Sequence, residues 1–189
     1  MKKIYLTILS ILLFALAVVV SGCGGSTSSS NDKFIGTWQR QVTENYAFDK
    51  AIEEIVIEKE KNNYFVKSYL WRYVSNGCVN DNGKYDKDAN GNLICTFKLT
   101  QKPDIPKTPA ELKGNTLMVK IGLAQVALTE KEGKIVSTGF NSNQEHTFLK
   151  KDDKKFKDML KEHLKTISSG SDVAKGWIIK EDNSILDKK

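Results

Sequence analysis

Leu93-Ile94-Cys95-Thr96-Phe97-Lys98-Leu99-Thr100 is the stretch on which the fold reading turns. Apolar and polar side chains alternate across it without a break. Successive side chains of a strand point to opposite faces. Leu93, Cys95, Phe97 and Leu99 therefore fall on an inward face, and Ile94, Thr96, Lys98 and Thr100 on an outward one. The same period of two recurs on both sides. Upstream lie residues 36–43, then 51–60 with Ile55 and Ile57 on one face. In 64–74, Phe65, Tyr69, Trp71 and Tyr73 alternate with Tyr64, Val66, Leu70 and Val74. Downstream, 115–121 groups Leu117, Val119 and Ile121, and Ala124, Val126 and Leu128 form the next stripe. Residues 134–140 and 146–150 close the series. Asn-Gly, Gly-Asn and Glu-Gly pairs punctuate these runs as turn signals. About eight short strands in sequence predict a mainly β chain, an antiparallel meander closed into a barrel, with a β-sandwich or roll as the alternative.

The period changes at residues 152–167. Phe156, Met159, Leu160, His163, Leu164 and Ile167 recur at i, i+3, i+4, i+7, i+8 and i+11, the apolar face of an amphipathic C-terminal helix. Asp152 or Asp153 supplies its acidic start. Lys154, Lys155, Lys157 and Lys161 lie mostly elsewhere, as a solvated face or as a face that docks on a membrane or a partner. Residues 168–171 break the helix. The tail still carries Trp177, Ile178, Ile179 and Ile185 and is expected to dock on the domain.

The amino terminus follows different rules. Lys2 and Lys3 precede an uncharged, mostly apolar run, residues 4–20, and Ser21-Gly22 places small residues before Cys23. That is the layout of a secretory leader. Val20-Ser21-Gly22-Cys23 further resembles the lipobox of bacterial lipoproteins, with a branched apolar residue and two small ones ahead of the modified cysteine. The resemblance implies a signal peptide at 1–22 and a lipid-carrying Cys23 as the first mature residue, bearing diacylglycerol and labelled by palmitate. It also implies an extracytoplasmic address, at the outer membrane or the outer face of the cell membrane. Two acyl chains meet the requirement for stable anchoring. The alternative reading of the apolar run is an uncleaved signal anchor. Residues 23–33 then comprise the lipidated cysteine and a flexible tether, whose Gly/Ser/Thr-rich stretch 24–32 reaches roughly 15–18 Å. Residues 34–189 form one domain.

Cys78 and Cys95 remain. In an oxidising compartment an even count predicts one disulfide, with two free thiols as the alternative.

Phe34-Ile35-Gly36-Thr37-Trp38 opens the first strand. Its Gly-x-Trp is similar to the start of lipocalin-like barrels. The resemblance implies that Trp38 plugs the closed end and that Gly36 admits close packing. Those barrels set a late arginine over the tryptophan. No arginine follows Arg72 here, and Lys150 or Lys151 could substitute for it. A barrel of this size encloses either its own side chains or one small apolar ligand, and Trp38, Phe65, Tyr69 and Trp71 are the candidate lining. The alternative is that they are core.

Other motifs carry less. Asp86-Lys87-Asp88-Ala89-Asn90-Gly91 resembles the first half of a calcium loop, with Asp86, Asp88 and Asn90 as candidate ligands. Position 12 is Phe97 where a carboxylate is needed, and a charged hairpin tip is the expected reading. Two cysteines and two distant histidines lack zinc-ligand spacing. Pro103, Pro106 and Pro109 recur at a spacing of three, the period of a polyproline turn, and read as a stiff connection between strands. Net charge is +6, with Lys2 and Lys3 contributing two of it, and the only arginines are Arg40 and Arg72. That speaks against nucleic acid, whose recognition favours arginine. No Gly-x-Ser-x-Gly, phosphate-gripping glycine loop or His-Glu-x-x-His is present. The expectation is therefore a non-enzymatic exported lipoprotein without a cofactor. It would be held at the membrane by its lipid and would bind a small apolar ligand or an envelope or host macromolecule. The alternative is a structural or interaction lipoprotein with a filled core, assisting an envelope complex through its proline segment or its helix.

Overall fold

The alternation read from the sequence becomes eight antiparallel strands that close on themselves. They are β1 (Gly36–Gln41), β2 (Ile52–Glu60), β3 (Asn63–Ser75), β4 (Ile94–Lys113), β5 (Thr116–Ile121), β6 (Ala124–Lys131), β7 (Lys134–Thr138) and β8 (His146–Lys150). Each pairs with the next, and β8 pairs back onto β1. The fold is a closed meander barrel. The computed structural model describes residues 32–42, 52–138, 144–169 and 176–187. The expected leader, Cys23, nearly all of the tether, the ends of two strands at 43 and 51, residues 139–140, and part of the break after the helix lie outside the described residues.

One end of the barrel is plugged. Trp38 is buried there, and its indole N–H donates to the Phe34 carbonyl at 2.9 Å. Around it pack Ile55, Ile57, Tyr64, Leu128, Ile135 and Phe148. Tyr64, Val66 and Ser68 are the buried residues of β3 here, while Phe65, Lys67 and Tyr69 between them are only half-buried. Lys150 lies directly opposite Trp38 in the β1–β8 ladder, with its Nζ 5.7 Å from the indole centroid. Gly36 has φ +134°, and a Cβ there would come within 3.3 Å of Lys150 Cε. Here the backbone conformation favours glycine, and a Cβ would also press on the flexible end of Lys150.

A second core forms outside the barrel. Helix α1 (Asp153–Ser169) follows β8, with the Lys151 N–H bonded to Thr37 O at 2.8 Å and Asp152 Oδ1 capping the Lys155 N–H. Its apolar stripe covers the outer side of β3 and β4. Phe156 meets Trp71 edge-on at 5.3 Å between centroids. His163, with no exposed surface, stacks on Tyr73 and accepts the Tyr73 N–H through Nε2 at 3.2 Å. Cys95, Phe97 and Leu99 are buried as their alternation predicts, but in this second core and not in the barrel interior. Cys78 and Cys95 form a disulfide at the base of the hairpin they enclose.

Two features differ from the sequence reading. β4 does not stop at Thr100 but runs through all three prolines to Lys113, so the expected stiff connection is strand. The other edge of β4 is covered by β5 at Ala110–Lys113 and by β9 (Ile178–Asp182) at Ile94–Lys98. Between these stretches β4 pairs only with β3 among the described residues, and proline is tolerated on such an open edge. A spacing of three does not match a strand's period of two, and the ladder slips on both sides of Ser68. The second difference is β9 itself. It runs parallel to β4 and is followed by a short 3-10 turn (Ser184–Asp187), so the tail docks as an added strand.

Candidate functional site

The four aromatic residues expected to line a ligand cavity do not converge. Trp38 lies in the barrel core and Trp71 in the second core beneath α1. Phe65 and Tyr69 are half-buried on the opposite face of β3 from Tyr64 and Val66, and Lys107 Nζ sits 4.8 Å from the Phe65 ring centroid. The reason is parity. Once Tyr64 and Val66 take the interior, odd-numbered residues of β3 must face out.

The candidate calcium ligands are engaged with their own loop. Asp88 Oδ1 accepts the N–H groups of Asn90 and Asn92, and Oδ2 accepts the Asn92 side-chain amide. These bonds hold the Asp88 carboxyl below its ordinary range, the Asn92 side-chain bond contributing most. Asp86 serves through its backbone, bonding to Cys78 O and Ile94 N. The segment is a hydrogen-bonded hairpin tip.

A different site forms where the barrel wall opens. β1 and β8 pair only at Trp38–Lys150 and Gln39–Leu149 among the described residues. Beyond those pairs the described residues of β1 and β8 form no further ladder pairs. A cleft of about 560 Å³ occupies this seam. Its lining includes Gln39, Arg40, His146 and Leu149 from the two strands and Lys155 and Met159 from α1. The volume falls in the range of small-molecule sites.

Strand alternation sets two polar layers against the cleft. On the inner side, Arg40 Nε lies 2.8 Å from Glu53 Oε2, and its guanidinium is 5.4 Å from the Phe148 centroid. Burial pushes the Glu53 carboxyl up. The charge and hydrogen bond of Arg40 oppose this, and weaker influences come from Asp104 and His146. Ser68, fully buried, donates to Asp104 Oδ2 at 3.2 Å and accepts the Ile105 N–H. On the outer side, Glu54 Oε2 accepts Gln39 Nε2 at 2.7 Å and Lys151 Nζ at 3.1 Å. Glu54 is 4% exposed and Gln39 is 3% exposed.

The carboxylate of Glu54 fixes which end of the Gln39 amide faces it, because a carboxylate accepts only. The nitrogen turns to Glu54, and Gln39 Oε1 is left buried with no hydrogen-bond partner among the described residues. A buried acceptor in that condition costs roughly 1–3 kcal/mol unless something donates to it.

No protein-family model, curated protein or solved structure matches this chain. The site therefore rests on its own chemistry. The wall of the cleft buries an unmet acceptor, presents Leu149 and Met159 as an apolar surface, and has a charge-neutralised Arg40–Glu53 pair behind it. Sequence reading assigned none of Gln39, Arg40, Glu53 or Glu54 to a site. One signal was present: placing Ile55 and Ile57 on one face of β2 also places Glu53 there, a charge aimed into a barrel.

Proposed function

We propose that this chain is an exported lipoprotein, held at a membrane by acyl chains on Cys23. Its barrel acts as a non-enzymatic binding module, taking a small, largely apolar ligand that carries a hydrogen-bond donor. The ligand site is the seam cleft between β1 and β8, not the barrel axis, which Trp38 and its neighbours fill. One observation carries the reading: Gln39 lines a cleft of ligand size with its Oε1 buried and unmet. The Val20-Ser21-Gly22-Cys23 motif supports the anchoring, and the disulfide fits an oxidising compartment.

The test is a titration with decanamide, which can donate, beside decanoate, which at neutral pH cannot. Decanamide is expected to shift the Gln39 side-chain amide and the Met159 methyl in NMR spectra. Decanoate should bind more weakly, and Gln39→Leu should erase the difference between the two. Flat titrations across both probes and neutral glycosides would overturn the binding role. The packed interior around Trp38 would then favour the second reading, a structural or interaction lipoprotein assisting an envelope complex.

A further inference from the structure

A titratable side chain fastens α1 to β3. His163 is one of two histidines in the chain and has no exposed surface. It stacks on Tyr73 at 5.9 Å between ring centroids, and its Nε2 accepts the Tyr73 backbone N–H at 3.2 Å. The donor belongs to a strand and cannot turn away. The bond therefore requires a lone pair on Nε2, so the ring is neutral with its proton on Nδ1. A second proton would go to Nε2 and set two donors against each other. The Tyr73 N–H would lose its acceptor, and a charge would be buried.

The elements packed here offer that charge little. From β3, Tyr73 presents a ring whose phenol is pushed up to about 12, and Arg72 beside it lies on the other face by strand parity. β4 contributes Phe97 and Leu99 to the same core. Glu181 of β9 and Asp187 beyond it line a groove with Tyr73. On α1 itself Lys161, Glu162 and Lys165 are exposed. The face of an aromatic ring attracts an imidazolium, but it supplies no acceptor to replace the broken backbone bond.

This hold matters to the cleft. Met159 stands one helical turn before His163 on the same stripe. It packs on the second core and also lines the cleft. We infer that His163 makes the seam cleft acid-sensitive: on taking up a proton it lets go of the Tyr73 N–H, α1 loosens on β3, and Met159 leaves the cleft wall, weakening ligand binding. This rests on the reading of the cleft as a ligand site. The folded chain favours the neutral ring and the unfolded chain has no such preference. The helix is therefore held fully above about 6.5, the ordinary imidazole value, and the hold is lost as pH falls below it.

The experiment reads amide hydrogen exchange of the full chain from about pH 7.5 to about pH 5, as protection factors that remove the intrinsic pH dependence. Tyr73 and the α1 amides from Phe156 to Ile167 should lose at least about tenfold in protection, and those of β5 and β6 should not change. His163→Gln keeps an acceptor that does not titrate, and should hold Tyr73 protection level. In the parent, nitrogen shifts of the His163 ring should pass from one protonated nitrogen to two over the same interval, which tests the assignment whether or not the variant folds. Decanamide should bind the parent at least about threefold more weakly at the acid end, and bind His163→Gln equally at both ends. Level Tyr73 protection with a neutral His163 ring throughout would overturn the switch. Loss of protection with unchanged decanamide affinity would overturn its link to the cleft. So would a pH dependence that persists in His163→Gln, which would belong to His146, the histidine that lines the cleft. Decanamide that binds at no pH would overturn the ligand reading and the link with it, while exchange would still decide the helix response.

Discussion

Single residues in this protein carry testable consequences. At Gly36, the backbone lies where side chains are strained, and a Cβ would press on Lys150. Gly36→Ala is expected to destabilise the fold by ~1–3 kcal/mol in urea unfolding; a change within about 0.5 kcal/mol would place it with ordinary surface substitutions. Tyr73 gives a pH prediction. Burial, aided by Glu181, pushes its phenol up to about 12, and its hydroxyl donates to Asn183 Oδ1 at 2.7 Å. A proton held more tightly in the folded state than in the unfolded chain stabilises the fold at lower pH. That stability is fully present below 10, the ordinary value, and is lost as pH rises through about 12. Tyr73→Phe should flatten this alkaline loss while costing about 1 kcal/mol at neutral pH through the missing bond to Asn183. An unchanged alkaline slope would show that other groups set it. Gly36 and Trp38 were legible in the sequence, because a Gly-x-Trp at the start of a strand series has a recognisable use. Gln39 was not. Its role depends on Glu54 opposite it and on its place at the last described β1–β8 pair, and neither is written in a local pattern.

At the scale of elements, strands were more legible than their edges. Burial on one face imposes a period of two, which is plain in β5 and β6, whereas β1, β2 and β7 also bury adjacent residues. What a strand does beyond its burial pattern depends on its neighbours. Pro103, Pro106 and Pro109 read as a connection because proline removes a ladder donor. They lie in a strand because β5 and β9 leave that part of one edge open. An open edge invites pairing with another chain, and proline blunts it. Replacing all three with threonine should therefore raise the protein's tendency to associate. Light scattering of the variant at fixed concentration should rise over hours under conditions where the parent stays monodisperse. A variant no more prone to association would assign the prolines a purely local role. The parallel strand β9 had no comparable signal, since residues 178–182 are short and their pairing partner lies about 80 positions away.

For the whole molecule, two cores divide the work. The barrel core, plugged by Trp38, fixes the seam between β1 and β8. The second core holds α1 against β3 and β4, placing Lys155 and Met159 at the cleft. The proposed function is that of an anchored, exported binding protein, so the amino terminus carries the account. Intact-mass analysis of the protein extracted from its own membrane measures this directly. The account predicts a chain beginning at Cys23, heavier than its sequence by a diacylglycerol and any further acyl group. An intact Met1 with no acyl mass would contradict it.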